Sequence, residues 1–170
     1  MNPFDIDTVL KTFEILVDTR EQPTQKFQNR INAMGVPCRR RKLDFGDYSA
    51  AVTLPDGSEY SLEDKACVER KMDYSELCSC FCRERDRFTR EFERAKTAGA
   101  KVYLLVESAT WEAAYKGQYR SRMKPQALIA SMTTWLARYN CQIIMCRAAT
   151  TGILIKEILY REMKERLEKL

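Results

Sequence analysis

Glu69 and Lys71 lie two residues apart in the run CVERKMDYSEL, residues 67–77, downstream of the tetrapeptide Phe45-Gly46-Asp47-Tyr48. At a strand end the two-residue side-chain period puts this carboxylate and this ammonium on one face. Asp47 opens the apolar segment 48–54, and pairing that segment against residues 61–71 brings a second carboxylate towards the first. Two carboxylates and a lysine at a sheet end can hold a hard divalent cation and orient a water molecule, chemistry suited to hydrolysing a phosphodiester.

Other chemistries are excluded by composition. The chain has 170 residues and no histidine, which removes Ser-His-Asp and Cys-His catalysis and the HExxH zinc sites. Seven cysteines without a secretory pattern point to reduced thiols. Cys78, Cys80 and Cys82 follow C-x-C-x-C rather than C-x-x-C, so they are predicted to be small buried or half-buried residues at the start of a helix, not a zinc site. The net charge of +5 is modest, but its clustering is informative. Arg39-Arg40-Arg41-Lys42 forms one basic block, and Arg83, Arg85, Arg87, Arg90, Arg94 and Lys96 form another, a pattern expected of a nucleic-acid footprint. No apolar run approaches the roughly 18–20 residues needed to span a bilayer. The acidic N-terminus, MNPFDIDTVLKTF, lacks a basic-then-apolar leader, so a cytoplasmic protein with no membrane partner is expected.

These residues must be positioned by an α/β domain with a mixed central β-sheet flanked by helices, predicted over residues 14–170 behind an N-terminal arm, 1–13. Residues 14–18, EILVD, read as a buried strand delivering Asp18 to the sheet's edge, followed by a loop through Pro23. A helix over 26–34 puts Phe27, Ile31 and Met34 on one face and stops at Gly35; residues 37–44 then read as a strand. A long hairpin turning at Pro55-Asp56-Gly57 carries Asp47 on its first arm and Glu69 at the base of its second. Asp73 or Ser75 caps a helical stretch running to Ala98, with a break near Arg83. KVYLLVE (101–107) and 141–146 are core strands; helices are expected over 110–116 and 125–139, and from Thr150 or Thr151 to the end. Tyr48, Trp111 and Trp135 read as core or interface residues.

Three motifs in order, Val17-Asp18-Thr19-Arg20-Glu21, Gly46-Asp47-Tyr48 and Val68-Glu69-Arg70-Lys71, make the chain similar to the XPF-family (ERCC4-type) structure-specific endonucleases. Those enzymes have the restriction-endonuclease-like, PD-(D/E)XK fold. The ExK pattern alone is weak, and Glu63-Asp64-Lys65 repeats it as a decoy. The resemblance implies that Asp47 and Glu69, with Asp18 as a further carboxylate, hold Mg²⁺, for which Mn²⁺ substitutes. It implies that Lys71 orients or deprotonates the attacking water and contacts the scissile phosphate. Arg70 would hold phosphate or brace the site, and Arg20 and Glu21 would complete it. The resemblance further implies that DNA, branched DNA in the family's repertoire, would lie along Arg20, Arg39, Arg40, Arg83, Arg87 and Arg90. One departure stands out: where the family reads ERKxxxD this chain has Ser75, with Asp73 and Glu76 as candidate replacements.

Gly152 is the only glycine after Gly117, so these residues hold no glycine-paired helix-hairpin-helix module of the kind larger relatives carry. The resemblance is to a stand-alone nuclease domain of the sort found in phage and prokaryotic genomes. The family's nuclease domains pair through C-terminal helices, and the apolar face from Ile153 to Leu167 is a candidate for such a homodimer or for packing on its own sheet. Competing readings are a less selective nuclease or Holliday-junction resolvase of the same fold, and a non-cleaving DNA-binding scaffold. If the arginine-rich helix follows phosphates, a triple Arg83/Arg87/Arg90→Ala variant flattens the log-affinity against log-salt slope by roughly 0.7–0.9 per lost contact. An unchanged slope assigns those arginines to surface solvation.

Overall fold

Lys101–Glu107 shows how the sheet is buried on both sides. Val102, Leu104 and Val106 enter one core, while Tyr103 and Leu105 enter the other, as the strand period requires. The computed structural model describes residues 3–170. In chain order its first elements are α1 (Pro3–Leu10), β1 (Glu14–Asp18), α2 (Gln25–Met34), β2 (Cys38–Arg41), β3 (Tyr48–Thr53), β4 (Glu59–Ser61) and β5 (Ala66–Lys71). They are followed by α3 (Tyr74–Phe81), α4 (Arg85–Thr97), β6 (Lys101–Glu107), α5 (Trp111–Lys116), α6 (Pro125–Arg138), β7 (Cys141–Cys146) and α7 (Ala148–Leu167).

The strands form one mixed sheet in the order β2-β1-β3-β5-β6-β7, with β4 paired to β3. β1 runs parallel to β2 and antiparallel to β3; β5, β6 and β7 are mutually parallel. Helices α3, α4, α5 and α6 cover one face, supplying Leu77, Phe81, Phe88, Phe92, Leu128 and Trp135. Helices α1, α2 and α7 cover the other. The mixed α/β architecture expected from the sequence is therefore the one observed.

Several boundaries move for local reasons. The expected strand over 37–44 is only β2, because Leu43 turns its N–H onto the Asp18 carboxylate instead of extending the ladder. The predicted helical break falls at residues 82–84, between α3 and α4, and Asp73 is the α3 cap, accepting the Glu76 N–H at 2.9 Å. The expected N-terminal arm is a correction: Ile6, Val9, Leu10 and Phe13 are buried in the α2/α7 core, so α1 belongs to the same domain. Residues 1 and 2 lie outside the described residues. On the C-terminal helix Ile155, Leu159, Met163 and Leu167 are fully buried on the chain's own sheet, the packing alternative, while Ile153 is exposed. No helix among the described residues is long and apolar enough to cross a membrane.

Helix α7 lies close against α2, and Gly152 permits it. A Cβ there would fall inside contact distance of the Arg30 carbonyl oxygen and 3.0 Å from the Ala33 Cβ. Gly152→Ala is expected to lower unfolding free energy by about 1–3 kcal/mol, the usual cost of overpacking, read as an earlier urea midpoint. An unshifted midpoint would show that the helices part freely.

Candidate active site

Strands β1, β3 and β5 meet at Asp47, one residue before β3. The Asp18 N–H donates to the Asp47 carbonyl (2.8 Å), and the Asp47 N–H donates to the Val68 carbonyl (2.9 Å). The Asp47 Oδ2 accepts the Arg70 N–H at 2.8 Å. Asp47 is thereby tied to both neighbouring strands, with its side chain held between the positions of Glu69 and Lys71. The preceding Gly46 has φ of 74°, and a Cβ on it would meet the Cys67 Cβ and Sγ at 2.7 Å. Only glycine lets the turn lie this close to β5.

Glu69 and Lys71 project together onto the α3/α4 side, with the Lys71 Nζ 5.3 Å from the centroid of the Phe88 ring. Lys71 Nζ donates to Glu69 Oε1 at 2.6 Å and lies 3.9 Å from Glu76 Oε1. Both Glu69 and Lys71 are buried, and Glu69 Oε2 has no hydrogen-bond partner. Burial works against the Lys71 charge, but the Glu69 and Asp47 carboxylates outweigh it and hold the ammonium above the ordinary lysine range. Asp47 goes the opposite way. Its desolvation and the Glu69 charge push its pKa well above the usual carboxylate range, against the pull of Lys71.

A third carboxylate, missed from the sequence, comes from α4. Glu91 Oε1 accepts the Gly46 N–H at 3.0 Å and lies 3.7 Å from Arg20 Nη2. Burial, then the charge of Glu69, raise its pKa. Its place beside Phe88, Phe92 and Ala95 on the apolar stripe of α4 is the available sequence signal.

Arg70 points to the other face. Its guanidinium forks onto Glu107, at 2.8 Å to Oε1 and 3.0 Å to Oε2. Arg30 Nη1 stands 3.9 Å from Glu107 Oε1, and Arg30 Nη2 donates to Glu21 Oε2 at 2.9 Å. That same Glu21 oxygen accepts the Tyr48 hydroxyl at 2.6 Å. Burial opposes ionisation of Glu107, yet the Arg70 fork leads the contacts that hold its pKa below the ordinary range. The Arg70 and Glu21 side chains therefore brace the sheet from behind the Asp47–Glu69–Lys71 group, while the Arg70 N–H reaches Asp47 itself. Arg30 and Glu107 were also missed. Arg30 is a charged residue on the buried stripe of α2, and Glu107 is an acid closing a buried strand, the same signal that marks Asp18.

Asp18 is corrected from metal ligand to brace. It is fully buried, and both its oxygens are taken: Oδ1 by the Arg20 N–H (2.7 Å) and Nε (2.6 Å), Oδ2 by the Leu43 N–H (2.7 Å). Burial raises its pKa, but the Arg20 and Leu43 donors win and the net shift is downward. Asp73 is occupied as a helix cap, whereas Glu76 accepts the Met72 N–H (2.6 Å) and turns its other oxygen towards Lys71. Of the two candidate replacements for the acid absent at Ser75, Glu76 is thus the one that approaches Lys71.

The basic residues divide. Arg39 bonds Glu14 and Glu59, and Arg40 donates to the Thr19 and Glu21 carbonyls, so both expected DNA contacts have intramolecular partners. Arg83 and Arg87 are exposed, leaning on Ser79 and Glu84. Arg90 lines a cleft of about 730 Å³ between α4 and the loop before Gly46, with Lys42, Phe45 and Arg94. Cys78 and Cys80 are buried as expected, burial pushing the Cys80 thiol up to about 11; Cys82 is exposed at the end of α3.

Among the described residues no three side chains of the metal-binding types form a preassembled metal cluster. Asp47 and Glu69 nevertheless suit a hard cation: they are adjacent carboxylates, and Glu69 Oε2 is a buried oxygen that lacks a partner.

Comparison with known proteins bears on family and fold. The ERCC4 domain matches residues 17–158. No curated protein matches the chain. Among solved structures the fold is similar to XPF from Aeropyrum pernix, with a TM-score of 0.60 and 21% identity, over 88% of this chain and 61% of that one.

Asp18→Asn is expected to cost about 1–3 kcal/mol of stability at neutral pH by weakening charged hydrogen bonds. Because the folded pKa is depressed, that contribution is complete above the unfolded aspartate value near 4 and drains away as pH falls through the lower folded value. Urea unfolding of both proteins at pH 7 and in mild acid checks this; a gap that fails to narrow in acid contradicts the brace.

Proposed function

Because this chain belongs to the ERCC4 domain family, a family of structure-specific nucleases, we propose that it is a metal-dependent endonuclease that hydrolyses DNA phosphodiesters at branches, flaps or single-strand/double-strand boundaries. The observation that carries this reading is the meeting of Asp47, Glu69 and Lys71 at one sheet end, with a buried Glu69 oxygen left unpartnered. Asp47 and Glu69 would hold Mg²⁺, with Mn²⁺ as a substitute. Such a cation activates water at neutral pH and offsets negative charge on the phosphate.

The chain's own residues then have separate tasks. Lys71 keeps its charge between the two carboxylates and presents it to the scissile phosphate. Its buried place between Glu69 and the Phe88 ring suits a compact ammonium better than a planar guanidinium. The Arg70–Glu107 fork holds the end of β5 from behind, fixing the backbone N–H that orients Asp47. DNA would approach past half-exposed Arg20 at the site itself and the exposed Arg83, Arg87 and Arg90, since the cleft beside Arg90 also carries Asp44, Glu63, Asp64 and Glu93. Seven unpaired thiols suit a reducing cytoplasm, prokaryotic or phage-infected.

Asp47→Asn, Glu69→Gln and Lys71→Arg should each slow cleavage of a labelled flap or fork by roughly a thousandfold, the scale of several kcal/mol of lost charge stabilisation. Chelation should abolish it in the parent protein. Activity untouched by chelator, or a parent protein that binds but never cuts flap, fork, nick or four-way DNA with Mg²⁺ or Mn²⁺, would overturn the nuclease reading.

A further inference from the structure

We propose that Glu91 is a positioning residue that sets the direction of the Asp47 carboxylate by anchoring the Gly46 amide from α4. This inference rests on the reading of Asp47 as a metal ligand.

The Gly46–Asp47 peptide is fixed on three sides. On the β5 side, Gly46 abuts the Cys67 side chain so closely that no Cβ fits. Beyond Asp47, the backbone is bonded to Asp18 and Val68. The remaining handle is the Gly46 N–H itself, and its acceptor is Glu91 Oε1 at 3.0 Å. The loop that delivers Gly46 has no strand ladder of its own, since β2 ends at Arg41 and β3 begins at Tyr48. Arg94, one turn further along α4, donates to the Asp44 carbonyl at 2.8 Å, so α4 grips this loop at two points.

Glu91 is itself held. Its side chain is 12% exposed, and Arg20 Nη2 approaches it at 3.7 Å. Arg20 is in turn gripped by Asp18 through its backbone N–H and its Nε. A chain of contacts therefore runs from Asp18 through Arg20 and Glu91 to Gly46 and the Asp47 carboxylate. This gives the buried Asp18, whose oxygens are both occupied, a part in the site: it aims the arginine that steadies Glu91. Outer partners of metal ligands act by orienting them, and their loss typically weakens metal affinity or activity by roughly 10–100-fold.

Three proteins test the proposal: Glu91→Ala, Glu91→Gln, which keeps an oxygen acceptor, and Asp47→Asn. Mn²⁺ binding without DNA, followed by electron paramagnetic resonance, should be weaker by roughly 10–100-fold in Glu91→Ala, and Glu91→Gln should recover most of the loss. In cleavage assays the Glu91→Ala defect should fall on the half-saturating metal concentration, with much of the rate restored at high metal. In the parent protein the Gly46 amide should exchange slowly with solvent. A Glu91→Ala protein with parental Mn²⁺ affinity overturns the proposal, as does a Glu91→Gln protein as impaired as Glu91→Ala. Should Glu91→Ala fail to fold, a freely exchanging Gly46 amide in the parent protein overturns it and a protected one supports it. Full activity in Asp47→Asn refutes instead the ligand reading on which the proposal stands.

Discussion

The Asp47 peptide joins two halves of the sheet whose strand ladder is sparse where they meet. Its N–H goes to β5 and its carbonyl takes the Asp18 N–H from β1, while the only Cα register between β3 and β5 is Tyr48 with Val68. On one side of this join β3 runs antiparallel to β1, which is itself parallel to β2, and on the other β5, β6 and β7 run parallel. Buried backbone groups have to be paired, so the few bonds at the join fix where the halves meet. The same bonds fix Asp47 beside Glu69 and Lys71. The backbone register at the join and the placing of the site therefore rest on the same short contact.

Around that contact, charge is distributed unevenly between the faces of the sheet. Behind it, Arg30 and Arg70 face Glu21 and Glu107 in a network closed by the Tyr48 hydroxyl. Positive and negative groups balance there, as buried ions must if they are to avoid a desolvation penalty of several kcal/mol each. In front, Asp47, Glu69 and Glu91 gather around a single buried lysine, with Arg20 at the rim. That side has an excess of carboxylate and a buried oxygen without a donor. A balanced network suits a brace; an acidic surplus against a rigid strand end suits a cation. The two halves of the ERK triplet serve these opposite roles because adjacent strand residues point to opposite faces.

Much of this was legible in the amino-acid order. The apolar run in residues 101–107 marked a core strand, and the Glu69–Lys71 spacing put a carboxylate and an ammonium together whatever their partners. The Asp73 cap and the Gly35 stop marked helix ends, since those depend on neighbours in sequence. Less legible was which charged residues would find partners. Arg39 looked like a DNA contact and Asp18 like a ligand, because a sequence does not say that Glu59 faces the one and Leu43 N–H the other.

What the chain's sequence by itself determined is the list of chemical groups, their local period and the absence of any histidine to do other chemistry. Tertiary structure decided the sorting: Asp47 and Glu69 to the open acidic side, Arg70 and Glu21 to the brace behind it, Glu91 from a distant helix to the Gly46 amide, and the α7 stripe to the chain's own core. The physical reason is range. Helix and strand periods act over a few residues, whereas the fate of a buried charge is set by whichever oppositely charged or hydrogen-bonding group the fold brings within about 3 Å of it.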